Sequence, residues 1–200
     1  MTTGLAYGIF IYEQVAELDC VGPLQIFALS NQLLESGRVV TVAQETKPLR
    51  GAGGLRMIPD YSFEDAPKLD VLLLPGAAEI NEHALGNDRA IDWVRDQYDK
   101  VDWMTGVCTG SLILQKAGLL KGRKATTHWM LMEALANDPG IRELPDMRYV
   151  RDGKVVTSQG ISAGIDMALW LVGEIHTPDH ARTVRKILQY APAPPYEAEV

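Results

Sequence analysis

Cysteine is scarce in this 200-residue chain. The two present, Cys20 and Cys108, form no disulfide framework and lack the C-x-x-C spacing of a zinc site. No metal is therefore expected, and the compartment reads as reducing and cytoplasmic. An excess of positive charge is also missing: 19 Lys and Arg face 26 Asp and Glu, a formal net charge of -7. Nucleic acid is not expected as a partner, because phosphate contacts need a basic face. Long apolar runs are absent. The opening MTTGLAYGIFIYEQVAELD has no basic n-region, and its apolar stretch is too short and interrupted for a signal peptide or a membrane span. There is no internal repeat, low-complexity tract or splitting linker. One domain over 1–200 is expected, long enough for a full core, with a Pro-rich tail from about residue 191.

What is present is alternation. Buried-strand runs fall at 5–11, 39–44, 70–77 and 101–107, with a short strand at 123–127. Helical patterns fall at 20–36, 88–98, 111–120, 129–138, 162–176 and 178–190. Turn glycines at 48–63 predict a hairpin, and Asp152-Gly153 predicts a strand–turn–strand over 148–159. Strand-then-helix order predicts an α/β fold with a mostly parallel sheet flanked by helices on both faces.

Ligands of such folds sit beyond the carboxyl ends of the strands. Asp19 follows the first strand there, Gly76 follows VLLLP, and Cys108 follows VDWMTGV. Cys108 lies in a tight turn, G-V-C-T-G-S, like a nucleophile elbow with cysteine in place of serine. The N-terminus of the next helix would stabilise a thiolate. Cys20, within a helix, reads as core filler. His128 suits either a general base or a structural hydrogen bond, while His83, His176 and His180 sit in polar segments and read as solvated. Trp129 and Trp170 read as core or pocket wall, and Asp166 as a structural helix carboxylate. The glycine-rich GAGGLR (51–56) falls in the hairpin rather than between strand and helix, so it is a weak nucleotide signal, and no cofactor is expected.

The stretches ELDCVGPLQIF (17–27), LLLPGA (72–77), GVCTGSLILQKAGLLKGRKATTHW (106–129) and SQGISAGIDMALWL (158–171) together resemble the DJ-1/PfpI (ThiJ) superfamily. Within it, the isocyanide (isonitrile) hydratases are the most similar branch. The resemblance runs from about Leu5 to about Tyr190 and implies a flavodoxin-like sandwich, a homodimer, and a nucleophilic Cys108. It also implies needed roles for Asp19 and Thr109, and a substrate- or oxyanion-binding loop at Gly76 and Ala77. The expected reaction adds water to a small isocyanide. The protease-like branch places a histidine after the nucleophile, where this chain has Thr109; the DJ-1-like branch uses a glutamate in the first loop, for which Glu17 is a possible substitute. The AraC-type regulators share the cysteine region but add a helix-turn-helix domain, for which no segment reads here. Aldehyde chemistry, a chaperone role, or ligand sensing without catalysis are the alternatives.

Overall fold

The computed structural model describes residues 4–77 and 83–192. Strand β1 (Ala6–Phe10) leads into α1 (Glu17–Leu34), and β2 (Arg38–Ala43) follows. A hairpin of β3 (Leu49–Arg50) and β4 (Arg56–Met57) precedes β5 (Tyr61–Ser62) and β6 (Val71–Leu74). Helix α2 (Asp88–Tyr98), β7 (Trp103–Val107) and α3 (Gly110–Lys116) come next. Then follow β8 (Lys124–Ala125), a 3-10 turn (Trp129–Leu131), α4 (Met132–Ala136) and β9 (Arg142–Glu143). The antiparallel pair β10 (Tyr149–Asp152) and β11 (Val155–Ser158) precedes α5 (Ala163–Ile175) and α6 (Pro178–Ile187).

Seven strands form one sheet in the order β10-β11-β7-β6-β1-β2-β5, parallel throughout except for β10. Strands β1, β6 and β11 are buried along their whole length, as expected of strands covered on both faces. Their apolar runs therefore lack the period-2 alternation of a half-exposed strand. The amphipathic α2 buries Ala90, Ile91, Trp93 and Val94 and turns its charges outward, while the Asn87 side chain caps it by accepting from the Ala90 N–H. Helix α6 starts with Pro178 at its first turn and with the Thr177 hydroxyl accepting from the His180 N–H.

The chain runs from β1 outward to β2, then returns to place β6 on the other side of β1. That reversal opens a crevice at the carboxyl ends of β1 and β6. Three differences from the sequence reading bear on it. Helix α1 begins at Glu17 rather than residue 20, which puts Asp19 in its first turn. No side chain caps that start. It is set by the tertiary bond from the Ala16 N–H to the Gly76 carbonyl (2.9 Å) and by the bridge between Val15 and Ala77. The strand expected at 123–127 shortens to β8, which pairs only with β9, outside the main sheet. The helix expected at 129–138 splits into the 3-10 turn and α4. Of the Pro-rich tail, residues 193–200 lie outside the described residues.

Candidate active site

Cys108 follows β7 directly, and its backbone is left-handed, with φ 56°. A non-glycine residue in that region costs free energy and persists only where its surroundings enforce it. Here the enforcement is visible. The Cys108 N–H reaches the Ser158 and Gln159 carbonyls at 3.2 and 3.3 Å, and the Cys108 carbonyl accepts from the Ser111 and Thr127 hydroxyls at 2.8 and 2.9 Å. The side chain is thereby aimed at α1, and the elbow expected from the sequence is present.

Asp19 is fully buried. Its Oδ2 accepts from the Gly76 N–H at 3.0 Å, while Oδ1 is buried and makes no hydrogen bond among the described residues. Burial pushes this carboxyl up to about 6, against a rise partly offset by the Gly76 N–H, the Cys108 thiol and the Ile161 N–H facing it. The thiol moves the same way. Burial and then the Asp19 charge push Cys108 up to about 12, with the Thr109 and Ile161 N–H groups opposing. The lowered thiol pKa expected at a helix terminus is not found: Cys108 is only 6% exposed, and burial and the carboxylate beside it outweigh the N–H groups. With both acids pushed up by burial and by each other, the pair favours holding one proton between its two members.

Thr109 is buried and locks the loop after β6. Its hydroxyl accepts from the Ala77 N–H at 2.7 Å and donates to the Ala77 carbonyl at 3.2 Å. Both N–H groups of the Gly76-Ala77 loop are therefore held by protein, Gly76 by Asp19 and Ala77 by Thr109. Glycine is required at 76, because a Cβ there would lie 2.5 Å from the Thr109 hydroxyl and 2.8 Å from Asp19 Oδ2. Gly110 is similarly tight, since its Cβ would meet the Leu74 carbonyl.

Two contributors escaped the sequence reading. Ile161, just ahead of α5, has φ 57°, a conformation rare for a β-branched residue, and its N–H faces both Asp19 and Cys108. The only sequence signal was its place beside Gly160. Tyr12 is buried and donates its hydroxyl to the Pro75 carbonyl at 3.0 Å. Burial, and then the Asp19 charge, hold its phenol well above the usual range.

The other candidates resolve plainly. Glu17 faces away from the thiol and into the hairpin loop, where its carboxylate accepts from the Gly53 and Leu55 N–H groups at 2.9 and 3.2 Å. GAGGLR is thus a cradle for a protein carboxylate. Cys20 is core, its thiol donating to the Glu17 carbonyl at 3.0 Å. His128 Nδ1 accepts from the Met130 N–H at 3.3 Å, a capping bond. His83 is exposed, as expected. His176 and His180 are not free in solvent: α6 folds back, and they are half-buried against Tyr7 (3.3 Å) and Ser30 (2.8 Å). Trp170 packs against Trp103 and Tyr149, but Trp129 is 72% exposed and is not core. Asp166 pairs with Arg148.

The DJ-1/PfpI family model matches residues 8–174. This chain belongs to the DJ-1/PfpI family. The isonitrile hydratase of Pseudomonas putida is 39% identical over 97% of this chain and 82% of that protein. Protein DJ-1alpha of Drosophila melanogaster is 28% identical over 84% and 79%. A solved THiJ/PfpI family protein from Pseudomonas syringae superposes with a TM-score of 0.89 at 32% identity, covering 98% of this chain and 79% of that one. Its DJ-1/PfpI membership accounts for the mostly parallel sheet flanked by helices.

Proposed function

We propose that this protein hydrates isocyanides to N-substituted formamides, with Cys108 as nucleophile and Asp19 as acid. The observation that carries the reading is Cys108 and Asp19 buried side by side, with Thr109 rather than histidine next to the thiol. The similarity to an isonitrile hydratase along nearly the whole chain supports it.

The chemistry follows from the pair. The thiol proton passes to Asp19, and the sulfur attacks the terminal carbon of R–N≡C. Asp19 returns the proton to that carbon, giving a thioimidate, R–N=CH–S–Cys108. Nothing leaves in this step, so no amine leaving group needs an acid of its own. Water then adds to the same carbon, giving one proton to Asp19 and the other to nitrogen. Collapse expels the sulfur, which takes the proton back from Asp19 and frees R–NH–CHO. The Thr109 and Ile161 N–H groups face the sulfur and steady its charge. Gly76 and Ala77 hold the acid and Thr109 in place, and an anion at their N–H groups would have to displace those bonds. No cofactor enters this scheme.

A homodimer and a cytoplasmic location go with this reading. Leu18 and Val21 on α1, Leu55 in the hairpin loop, and Trp129, Met130 and Ile161 are exposed apolar side chains, of the kind that a second copy covers. The deciding experiment incubates the purified protein with a panel of alkyl and aryl isocyanides and measures formamide. Turnover with no peptidase activity supports the reading. Isocyanide binding without formamide would instead make the protein a ligand sensor.

A further inference from the structure

The loop after β6 presents two N–H groups to the site, and its position decides whether they reach Asp19 and Thr109. Two anchors outside the reacting groups hold it: the Val15–Ala77 bridge, with the Ala16 N–H on the Gly76 carbonyl (2.9 Å), and the Tyr12 hydroxyl on the Pro75 carbonyl (3.0 Å). The first is backbone, available to any sequence. The second depends on one side chain. Pro75 lies just past the end of β6, and Tyr12 gives its carbonyl a partner in a buried place. The Tyr12 ring also lines a cavity of about 660 Å³ at the carboxyl ends of β1 and β2, together with Phe10, Ala43 and Leu49. Tyr12 therefore spans from a solvent-reachable cavity to the loop that holds the acid.

We infer that Tyr12 is a positioning residue for the Cys108–Asp19 pair: by tying the Pro75 carbonyl it keeps the Gly76 N–H on Asp19 Oδ2. That N–H stabilises the singly protonated, negatively charged pair, in which the thiol can lend its proton to the carboxylate. The titratable groups facing Asp19 are Cys108, Cys20 and Tyr12 itself. With the tie removed, the loop relaxes, the N–H bond lengthens, and the pair needs a higher pH to lose its first proton.

The inference rests on the proposed pairing, but its test does not depend on isocyanide chemistry. Tyr12→Phe keeps the ring and removes the tie. The rate of Cys108 alkylation by iodoacetamide, read by peptide mass, is measured across pH for wild type, Tyr12→Phe and a control, Tyr149→Phe. Formamide production is followed in parallel, and thermal unfolding reports folding. In wild type the rate rises through about pH 6. In Tyr12→Phe this rise moves to higher pH, and at pH 5, well below the rise, both alkylation and turnover fall by about 5- to 10-fold, the size of one net hydrogen bond. The control does not move. An unshifted rise in Tyr12→Phe, or an equal shift in Tyr149→Phe, overturns the inference even if Tyr12→Phe is less stable. If wild type makes no formamide but the alkylation rise still shifts, the positioning role stands and the hydratase reading falls. Should Tyr12→Phe not fold, Tyr12→Gln, which retains a donor that does not titrate, takes its place: a pH rise identical to wild type with the Pro75 bond absent from its crystal structure, or a shifted rise with that bond kept, overturns the inference.

Discussion

At the scale of single residues, the site is a balance of one proton between two buried acids. Cys108→Ala and Cys108→Ser should abolish formamide production while leaving the fold intact, because a serine there has no base strong enough to activate it. Cys20→Ser should keep most activity, since that thiol only donates to the Glu17 carbonyl. Essential Cys20 with dispensable Cys108 would refute the assignment. Asp19→Asn removes the transferable proton and should cost roughly 10²–10⁴-fold in turnover, the scale of a lost general acid. The same substitution should raise stability at pH 7.5. The Asp19 carboxyl is raised in the folded protein from 3.8 to about 6, so folding binds a proton across that window and stability falls as pH rises through it. Above pH 6 the wild type carries a cost of about 2–3 kcal/mol that asparagine avoids. Thermal unfolding at pH 4 and pH 7.5 checks this: the gain belongs at pH 7.5 and should vanish at pH 4.

At the scale of elements, the joint between α5, α6 and the core carries its own pH dependence. His176 reaches Tyr7 of β1, His180 reaches Ser30 of α1, and the two imidazoles meet edge to face at 5.4 Å between ring centres. Partial burial, and then His180, lower the His176 pKa below 6.5. A depressed histidine favours the neutral form in the folded protein, so its share of stability is complete above pH 6.5 and is lost as pH falls below that. Amide exchange in Pro178–Ile187, corrected for intrinsic rates, should accelerate at pH 5.5 relative to pH 7.5. His176→Phe should flatten that dependence. Equal protection at both pH values in wild type would remove the imidazoles from the docking of α6.

At the scale of the whole molecule, the exposed apolar side chains carry the expectation of a homodimer. Leu18 is 43% and Met130 67% exposed. Leu18→Asp would place a charge in that surface and should shift sedimentation toward the monomer at micromolar concentration, leaving the monomer's helical content unchanged. A wild type that sediments as a monomer at all concentrations tested would refute the dimer. Among the described residues, no helix is long and apolar enough to cross a membrane.

The sequence by itself determined the class and most of the elements. Continuous apolar runs at β1, β6 and β7 marked strands covered on both faces, and the periodic face of 88–98 marked α2 to the residue. It also placed Asp19, Gly76 and Cys108 at strand ends, because period and turn chemistry are local properties. Only the tertiary structure decided what those residues do to one another. The early start of α1, which turns Asp19 toward the thiol, depends on a bond to Gly76, distant in the chain. The thiol's high pKa comes from burial and from Asp19, neither of which local spacing reveals. Ile161 and Tyr12 act through backbone geometry and a single long-range hydrogen bond, while Glu17 was diverted by glycine N–H groups of the hairpin loop. His176 and His180 left solvent because α6 folds back onto α1, a packing choice that the polarity of their own segments opposes. Local pattern fixes elements, whereas desolvation and charge coupling fall off over a few ångströms of space, and the packed fold alone sets those distances.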